Sequence, residues 1–138
     1  MDFLDKRVGV ICNELKKLKV KQVFPLTQWE YKEGNFIHPE DALKDEAAWE
    51  NFDCKTMHWY GKDRHYWFRT TYTIPEELDG KSVWIRVSSQ IDEWDDGRNP
   101  QFIVFVNGEV YQGIDMNHRE CLITRSGKAG ETLTIDLQ

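Results

Sequence analysis

Carboxylates in loops are the side chains of this chain best suited to chemistry. A glycosidase needs two carboxyl groups about 5 to 9 Å apart across a sugar-binding cleft. The acidic residues in predicted loops or at strand ends are Glu30, Glu33, Asp92, Glu93, Asp95, Asp96, Asp115 and Glu120. Because acidic loop residues are more often solvated surface than catalytic groups, the pattern favours an exposed acidic surface and leaves a catalytic pair as the alternative.

Residues 92–96 (DEWDD) are dense enough in carboxylates to gather oxygen ligands around a calcium ion. Hard cations prefer carboxylates and carbonyls from flexible loops, but the segment lacks EF-hand spacing, which favours a solvated loop. The four histidines have no partner at zinc-ligand spacing, and the three cysteines are widely separated with no CxxC pair. We therefore expect no metal site, no cofactor and no disulfide framework in this chain.

Tryptophans outside the strands form a second group of interest, because a sugar ring presents an apolar face that can stack on an indole. Aromatic residues within strands usually belong to the core. Of the six tryptophans, Trp59 and Trp94 fall in predicted loops. These two are the candidates for stacking on carbohydrate.

Hydrogen-bonding side chains are concentrated between two predicted strands at residues 115–120 (DMNHRE). Side chains of these types either anchor a loop through local bonds to the backbone or present a functional surface. The residues alone leave both interpretations open.

The composition limits the partners and the location of the protein. A chain of 138 residues is expected to form one domain with a substantial core. Its net charge of −6 argues against nucleic acid, because that partner needs Lys and Arg to neutralise phosphates. The N-terminus lacks a secretory leader pattern, and no run of about 18 apolar residues occurs. We expect no nucleic-acid or membrane partner and a cytoplasmic location.

Residues 2–19 predict an amphipathic helix. The apolar positions follow a 4-3-4-3 spacing, which places them on one stripe with the charged residues mostly off it. The stripe consists of Leu4, Val8, Ile11, Leu15 and Leu18. It must be buried against the domain itself, a neighbouring domain or a second copy of the chain.

Alternating apolar residues predict an all-β sandwich after this helix. Asn107-Gly108 separates two apolar runs and predicts a hairpin with a type I′ turn. Residues 102–106 are apolar on both faces, which indicates a strand covered on both sides. Other strands are predicted at 66–74, 82–89, 109–113, 120–124 and 132–137, and a short helix at 45–50.

The predicted strands number six or seven, fewer than the roughly eight of a jelly roll. The chain also ends at Gln138 directly after an alternating run. We therefore expect a fragment of a longer enzyme, divided into an N-terminal helix at residues 1–20 and a β-sandwich domain at residues 21–138.

Three segments resemble the N-terminal jelly-roll, galactose-binding-like domains that precede catalytic barrels in many glycoside hydrolases. They are residues 66–75 (YWFRTTYTIP), 79–83 (DGKSV) and 105–108 (FVNG). Residues 29–34 (WEYKEG), 94–102 (WDDGRNPQF) and 112–120 (QGIDMNHRE) are similar to the N-terminal domain of bacterial α-mannosidases of the cytosolic or vacuolar type, glycoside hydrolase family 38. The similarity extends over nearly the whole chain.

The resemblance implies a zinc-dependent enzyme that hydrolyses terminal α-linked mannose, with its zinc and its nucleophile in a barrel that follows this domain. The barrel's zinc-binding His-x-Asp signature is missing here, so no catalytic or metal residue carries over and the chain alone is expected to be inactive. The implied role is support of the catalytic domain of the same polypeptide and of contacts in a homo-oligomer. The implied interface or active-site rim comprises Asn99, Gln101, Asp115, Asn117, His118 and Glu120.

Two alternatives remain. The first is an autonomous carbohydrate-binding module that grips a glycan through Trp59 or Trp94. The second is the N-terminal domain of a β-galactosidase-like enzyme, which shares the strand pattern but lacks the Asn-Pro-Gln and Asp-x-Asn-His segments.

Overall fold

A computed structural model of the protein describes residues 3–20, 22–89 and 99–138. Two α-helices, eight strands and one 3-10 turn (Glu76–Leu78) occur in these residues. In chain order the helices and strands are α1 (Phe3–Lys19), β1 (Gln28–Glu33), α2 (Pro39–Lys44), β2 (Glu50–Asp53), β3 (Tyr66–Thr73), β4 (Val83–Arg86), β5 (Phe102–Val106), β6 (Glu109–Ile114), β7 (Glu120–Thr124) and β8 (Thr132–Leu137).

The strands form two antiparallel sheets of unequal width. The large sheet has the order β2-β1-β3-β8-β5-β6, and the small sheet pairs β4 with β7. Every strand pair is antiparallel. A mostly β protein with an N-terminal helix is therefore confirmed, whereas the division at residue 20 stays a prediction.

The hairpin between β5 and β6 has the predicted turn. Asn107 and Gly108 have φ values of 51° and 83°, the positive values that a type I′ turn requires at both central positions. Asn107 also binds the neighbouring strand, because its side-chain Oδ1 accepts a hydrogen bond from the Thr134 N–H at 2.9 Å. The turn thus fixes the position of β8 as well as the hairpin.

The two sheets pack face to face around an apolar core. We call the side of the large sheet that meets the small sheet its inner face. Buried side chains from both sheets form this core: Trp29, Phe52, Phe68, Val83, Phe102, Val104, Val106, Cys121, Ile123, Leu133, Ile135 and Leu137. Successive side chains of a strand point to opposite faces of the sheet, so apolar residues at every second position lie on the same side.

The outer face of the large sheet is covered by α2 and the residues around it. Trp67 and Phe105 are buried there with Ala42, and Phe36 and Trp49 pack against them. The strand at 102–106 is therefore covered on both faces, as predicted, although Ile103 on the outer face is 40% exposed.

The prediction of a helix at 45–50 is wrong. The backbone of Asp45 is extended, with φ −66° and ψ 137°, and its carboxylate accepts the Ala47 N–H at 3.1 Å. The ammonium of Lys32 lies 3.1 Å from the same carboxylate and donates to the Ala47 carbonyl at 3.3 Å. These contacts fold the segment onto the outer face, so tertiary bonding overrides its helical composition.

The apolar stripe of α1 lies in solvent. Its five side chains are between 51% and 67% exposed, and no residue of the helix is buried. The last residue of the helix, Lys19, makes an ion pair with Glu120 of β7 at 2.8 Å. Within the described ranges, neither helix is long and apolar enough to cross a membrane.

Candidate functional site

A large apolar cavity lies between the two sheets. Neighbouring strands are about 4.8 Å apart, so two strands are too narrow to cover the inner face of six. The uncovered part borders an open cavity of about 830 Å³, a size within the range of small-molecule pockets. Its wall includes Trp29, Phe52, Trp59, Phe68 and Phe102.

The exposed residues that line the cavity include apolar side chains beside polar ones such as Lys19, Lys81 and Arg86. We call Val20, Val23, Phe24 and Trp84 the cavity mouth, because they are the exposed large apolar residues outside α1 that line the cavity in the described ranges. Val23 is 78% exposed and Trp84 is 57% exposed. The segment that carries the first three residues is held beside the cavity at its far end, where the Trp29 indole N–H donates to the Leu26 carbonyl at 3.0 Å.

Trp59 forms part of the cavity wall. Its ring meets Phe52, Phe68 and Phe102 edge-on, with centroid separations of 5.9, 5.0 and 6.1 Å, and the residue is half-buried. The structure thus places Trp59 against the core, with one side toward the cavity. The other predicted stacking residue, Trp94, lies outside the described residues, as do Asp92, Glu93, Asp95 and Asp96.

Asp115 anchors the loop at residues 115–120. Its Oδ1 accepts the N–H groups of His118 at 2.7 Å and Asn117 at 2.8 Å, and His118 Nδ1 lies 3.1 Å away. These hydrogen bonds, led by the His118 N–H, lower the pKa of the Asp115 carboxyl from its ordinary value. The loop is therefore locally fixed while the His118 ring remains exposed.

The remaining predicted rim residues are divided between this loop and the sheet. Asn99 is buried, accepts a hydrogen bond from the Ser89 hydroxyl at 3.1 Å and lies 3.8 Å from the sulfur of Met116. Gln101 is exposed just before β5. Glu120 begins β7, and its carboxylate binds Lys19. The void beside Asn99 measures about 10 Å³, which is too small for a sugar.

Two of the predicted acidic candidates lie on β1. Glu33 forms an ion pair with Arg64 at 3.4 Å, whereas Glu30 is exposed on β1. In residues 3–20, 22–89 and 99–138, no three His, Cys, Asp or Glu side chains are grouped as a metal site would require.

Sequence reasoning missed a buried polar group on the outer face of the large sheet. Asp136 is 1% exposed, and its Oδ1 lies 3.4 Å from Nη1 of Arg69, an ion-pair distance. Neither atom has a hydrogen-bond partner among the described residues, and the same holds for the buried indole N–H of Trp67. Burial raises the pKa of Asp136, and the Arg69 charge opposes that rise. The alternation in residues 132–137 predicts that Asp136 points away from the core. It does not predict that the other side of the sheet is covered, so the burial of Asp136 could not be predicted from the sequence.

The chain was compared with known protein families, curated proteins and solved structures. No family model, no curated protein and no solved structure matches the chain. A proposal of function therefore depends on the cavity and its mouth, and on the resemblance of residues 29–34, 94–102 and 112–120.

Proposed function

We propose that this chain is the non-catalytic N-terminal accessory domain of a zinc-dependent α-mannosidase, which hydrolyses terminal α-mannosides in glycan catabolism. The sandwich is then a jelly roll of the galactose-binding-like type, and the catalytic domain of the same polypeptide covers the cavity mouth. The observation that carries the accessory role is this exposed apolar mouth. The resemblance supplies the enzyme class and places the zinc in the catalytic domain.

The mouth has the character of an interface. Exposed apolar patches rimmed by polar residues often mark sites of contact with another protein surface or with a ligand. Full burial of a side chain such as Val23 contributes about 1.5 to 3 kcal/mol. Covering Val23, Phe24 and Trp84 together would thus stabilise a contact between domains by several times that of a single surface ion pair.

The loop at residues 115–120 supplies a second contact in this proposal. Asp115 holds the loop in place, and the exposed His118 ring is available to a neighbouring surface. Asn99, Gln101, Asn117 and Glu120 then belong to the same interface or to the rim of the distant active site. Alanine at Asn117 and His118 in the full-length enzyme should reduce activity or stability, and no change in either would contradict this role.

Hydrolysis of an aryl α-mannoside tests the proposal directly. The chain alone and the full-length product of its reading frame are assayed in parallel with zinc supplied. We expect activity only in the longer protein. Activity of the chain alone would show that it contains a catalytic site, and inactivity of both proteins would contradict the enzyme class.

The mouth is tested separately from the enzyme class by paired substitutions in the full-length protein. Val23→Asp with Trp84→Asp should loosen the contact between domains and speed proteolysis between them. Val110→Asp is the matched control, because Val110 is 66% exposed on β6 and does not line the cavity. Equal proteolysis of both variants would contradict docking at the mouth.

The alternative of a carbohydrate-binding module is favoured by one observation, namely that Trp29, Trp59 and Trp84 all line the cavity. If a glycan binds there, adding it should protect tryptophan fluorescence from a soluble quencher. The accessory role predicts no change in quenching when mannose or a mannoside is added to the chain alone.

A further inference from the structure

We propose that α1 pairs with α1 of a second copy of this chain in an antiparallel arrangement. It does not depend on the proposed enzyme class, and among its five stripe residues only Leu18 also lines the cavity. It is carried by the seam-like stripe of α1, its exposure, and the charges that border it.

The stripe has the spacing of a helix-pairing seam. Leu4, Val8, Ile11, Leu15 and Leu18 recur at alternating steps of four and three residues, the pattern that keeps apolar side chains facing a partner helix. A helix of this length, roughly 25 Å, is marginal in water without tertiary packing. Since no residue of α1 is buried, the described sandwich does not supply that packing.

The charges beside the seam favour a second copy as the partner. Arg7 and Glu14 occupy equivalent positions on the same flank, one heptad apart. When two such helices run antiparallel, each Arg7 lies opposite Glu14 of the other copy, which gives two opposite-charge pairs. In the structure Glu14 contacts Lys17 at 2.7 Å, but this pair is exposed and exchangeable because surface ion pairs contribute little.

A parallel pair uses the same surface less well. It places Glu14 opposite Lys19 of the other copy, which competes with the Lys19–Glu120 pair at 2.8 Å. Glu120 is half-buried, whereas both side chains of the Glu14–Lys17 pair are exposed. The parallel pair also leaves Arg7 opposite the neutral Cys12. The antiparallel arrangement keeps the Lys19–Glu120 pair and directs the two sandwiches to opposite ends of the helix pair.

Sedimentation equilibrium of the chain tests the pairing between about 1 and about 200 μM, a range that spans micromolar affinities. We expect a mass that rises from 16.4 kDa toward twice that value. Ile11→Asp should abolish the rise, whereas Val10→Asp should leave it unchanged. Val10 is the matched control because it is a 62% exposed residue of the same helix that lies off the stripe.

Charge exchange tests the orientation. Arg7→Glu and Glu14→Arg should each weaken association about fivefold or more, because each creates two like-charge pairs, and the double exchange should restore it. Circular dichroism of each variant verifies that the sandwich is folded. A chain that remains monomeric across the whole range, or a double variant as weak as the single ones, would overturn the proposal.

Discussion

The two faces of the six-stranded sheet are completed in different ways. On the outer face, α2 and the residues around it cover Trp67 and Phe105. Lys32 binds the segment after α2 through its contact with Asp45. On the inner face, a sheet of only two strands leaves a cavity of about 830 Å³ with an apolar mouth. A six-residue helix and its flanking aromatic residues bury the centre of the outer face, whereas the two-stranded sheet leaves part of the inner face open. The open part of the inner face is where the proposed contact with a catalytic domain lies.

The difference in packing between the two faces is tested most strongly by replacing one tryptophan on each face with alanine. Trp67→Ala should lower the free energy of unfolding by about 3 to 5 kcal/mol, because it opens a void in a fully covered region. Trp59→Ala should cost about 1 to 2 kcal/mol, because Trp59 is half-buried and already borders a cavity. Urea denaturation of both variants measures the difference.

A control separates ring volume from polar bonding at Trp67. Its indole N–H is buried without a hydrogen-bond partner among the described residues, so Trp67→Phe should retain most of the stability that Trp67→Ala loses. Equal losses for Trp67→Ala and Trp59→Ala would show that the inner face is packed as tightly as the outer face.

Sequence reasoning succeeded where local pattern and final environment agree. The hairpin at Asn107-Gly108 and the strands from β3 to β8 follow from alternation and turn chemistry. It failed at β1 and β2 and at the segment after α2, because Lys32 is a charged residue that becomes buried through contacts 13 to 15 residues away in the chain. The cavity could not be predicted, since it arises from the unequal widths of two sheets that no local pattern specifies.

Lys32 provides the next test, because it binds the segment at residues 45–47 to the outer face of the large sheet. Its side chain is 2% exposed, and its ammonium lies 5.3 Å from the ring of Phe36 and 5.2 Å from that of Trp49. Lys32→Ala should destabilise the fold by about 2 kcal/mol through lost packing and hydrogen bonds. Hydrogen exchange should then rise at residues 36–49 and stay unchanged in β4 and β7.

Lys32→Met is the matched control, since it keeps the length of the side chain and removes its charge. It should cost less than Lys32→Ala, because an apolar residue of similar volume often replaces a buried charge at little loss. In both variants the pKa of Asp45 should rise toward its ordinary value of 3.8, because the hydrogen bond from Lys32 is the main cause of its lowering. An unchanged Asp45 pKa in NMR titration would contradict the contact.

The smallest expected effect concerns pH and the buried carboxyl of Asp136. Burial raises its pKa above the ordinary value of 3.8, so between that value and the folded-state pKa the folded protein binds more protons than the unfolded chain. Stability from this group is then fully present below pH 3.8 and is lost as the pH rises through the folded-state pKa. Asp136→Asn should remove this component, which is measured as the stability difference from wild type across the window.

Asp115 is the opposite case and supplies the control. Hydrogen bonds lower its pKa below 3.8, so its contribution is present above that pH and is lost as the pH falls through the folded-state pKa. Asp115→Asn should therefore alter the pH dependence only at the acidic end, and Asp136→Asn only above it. If the difference in stability between Asp136→Asn and wild type is constant with pH, the pKa of Asp136 is not raised. The outer face around Asp136 is then more accessible to water than its burial implies.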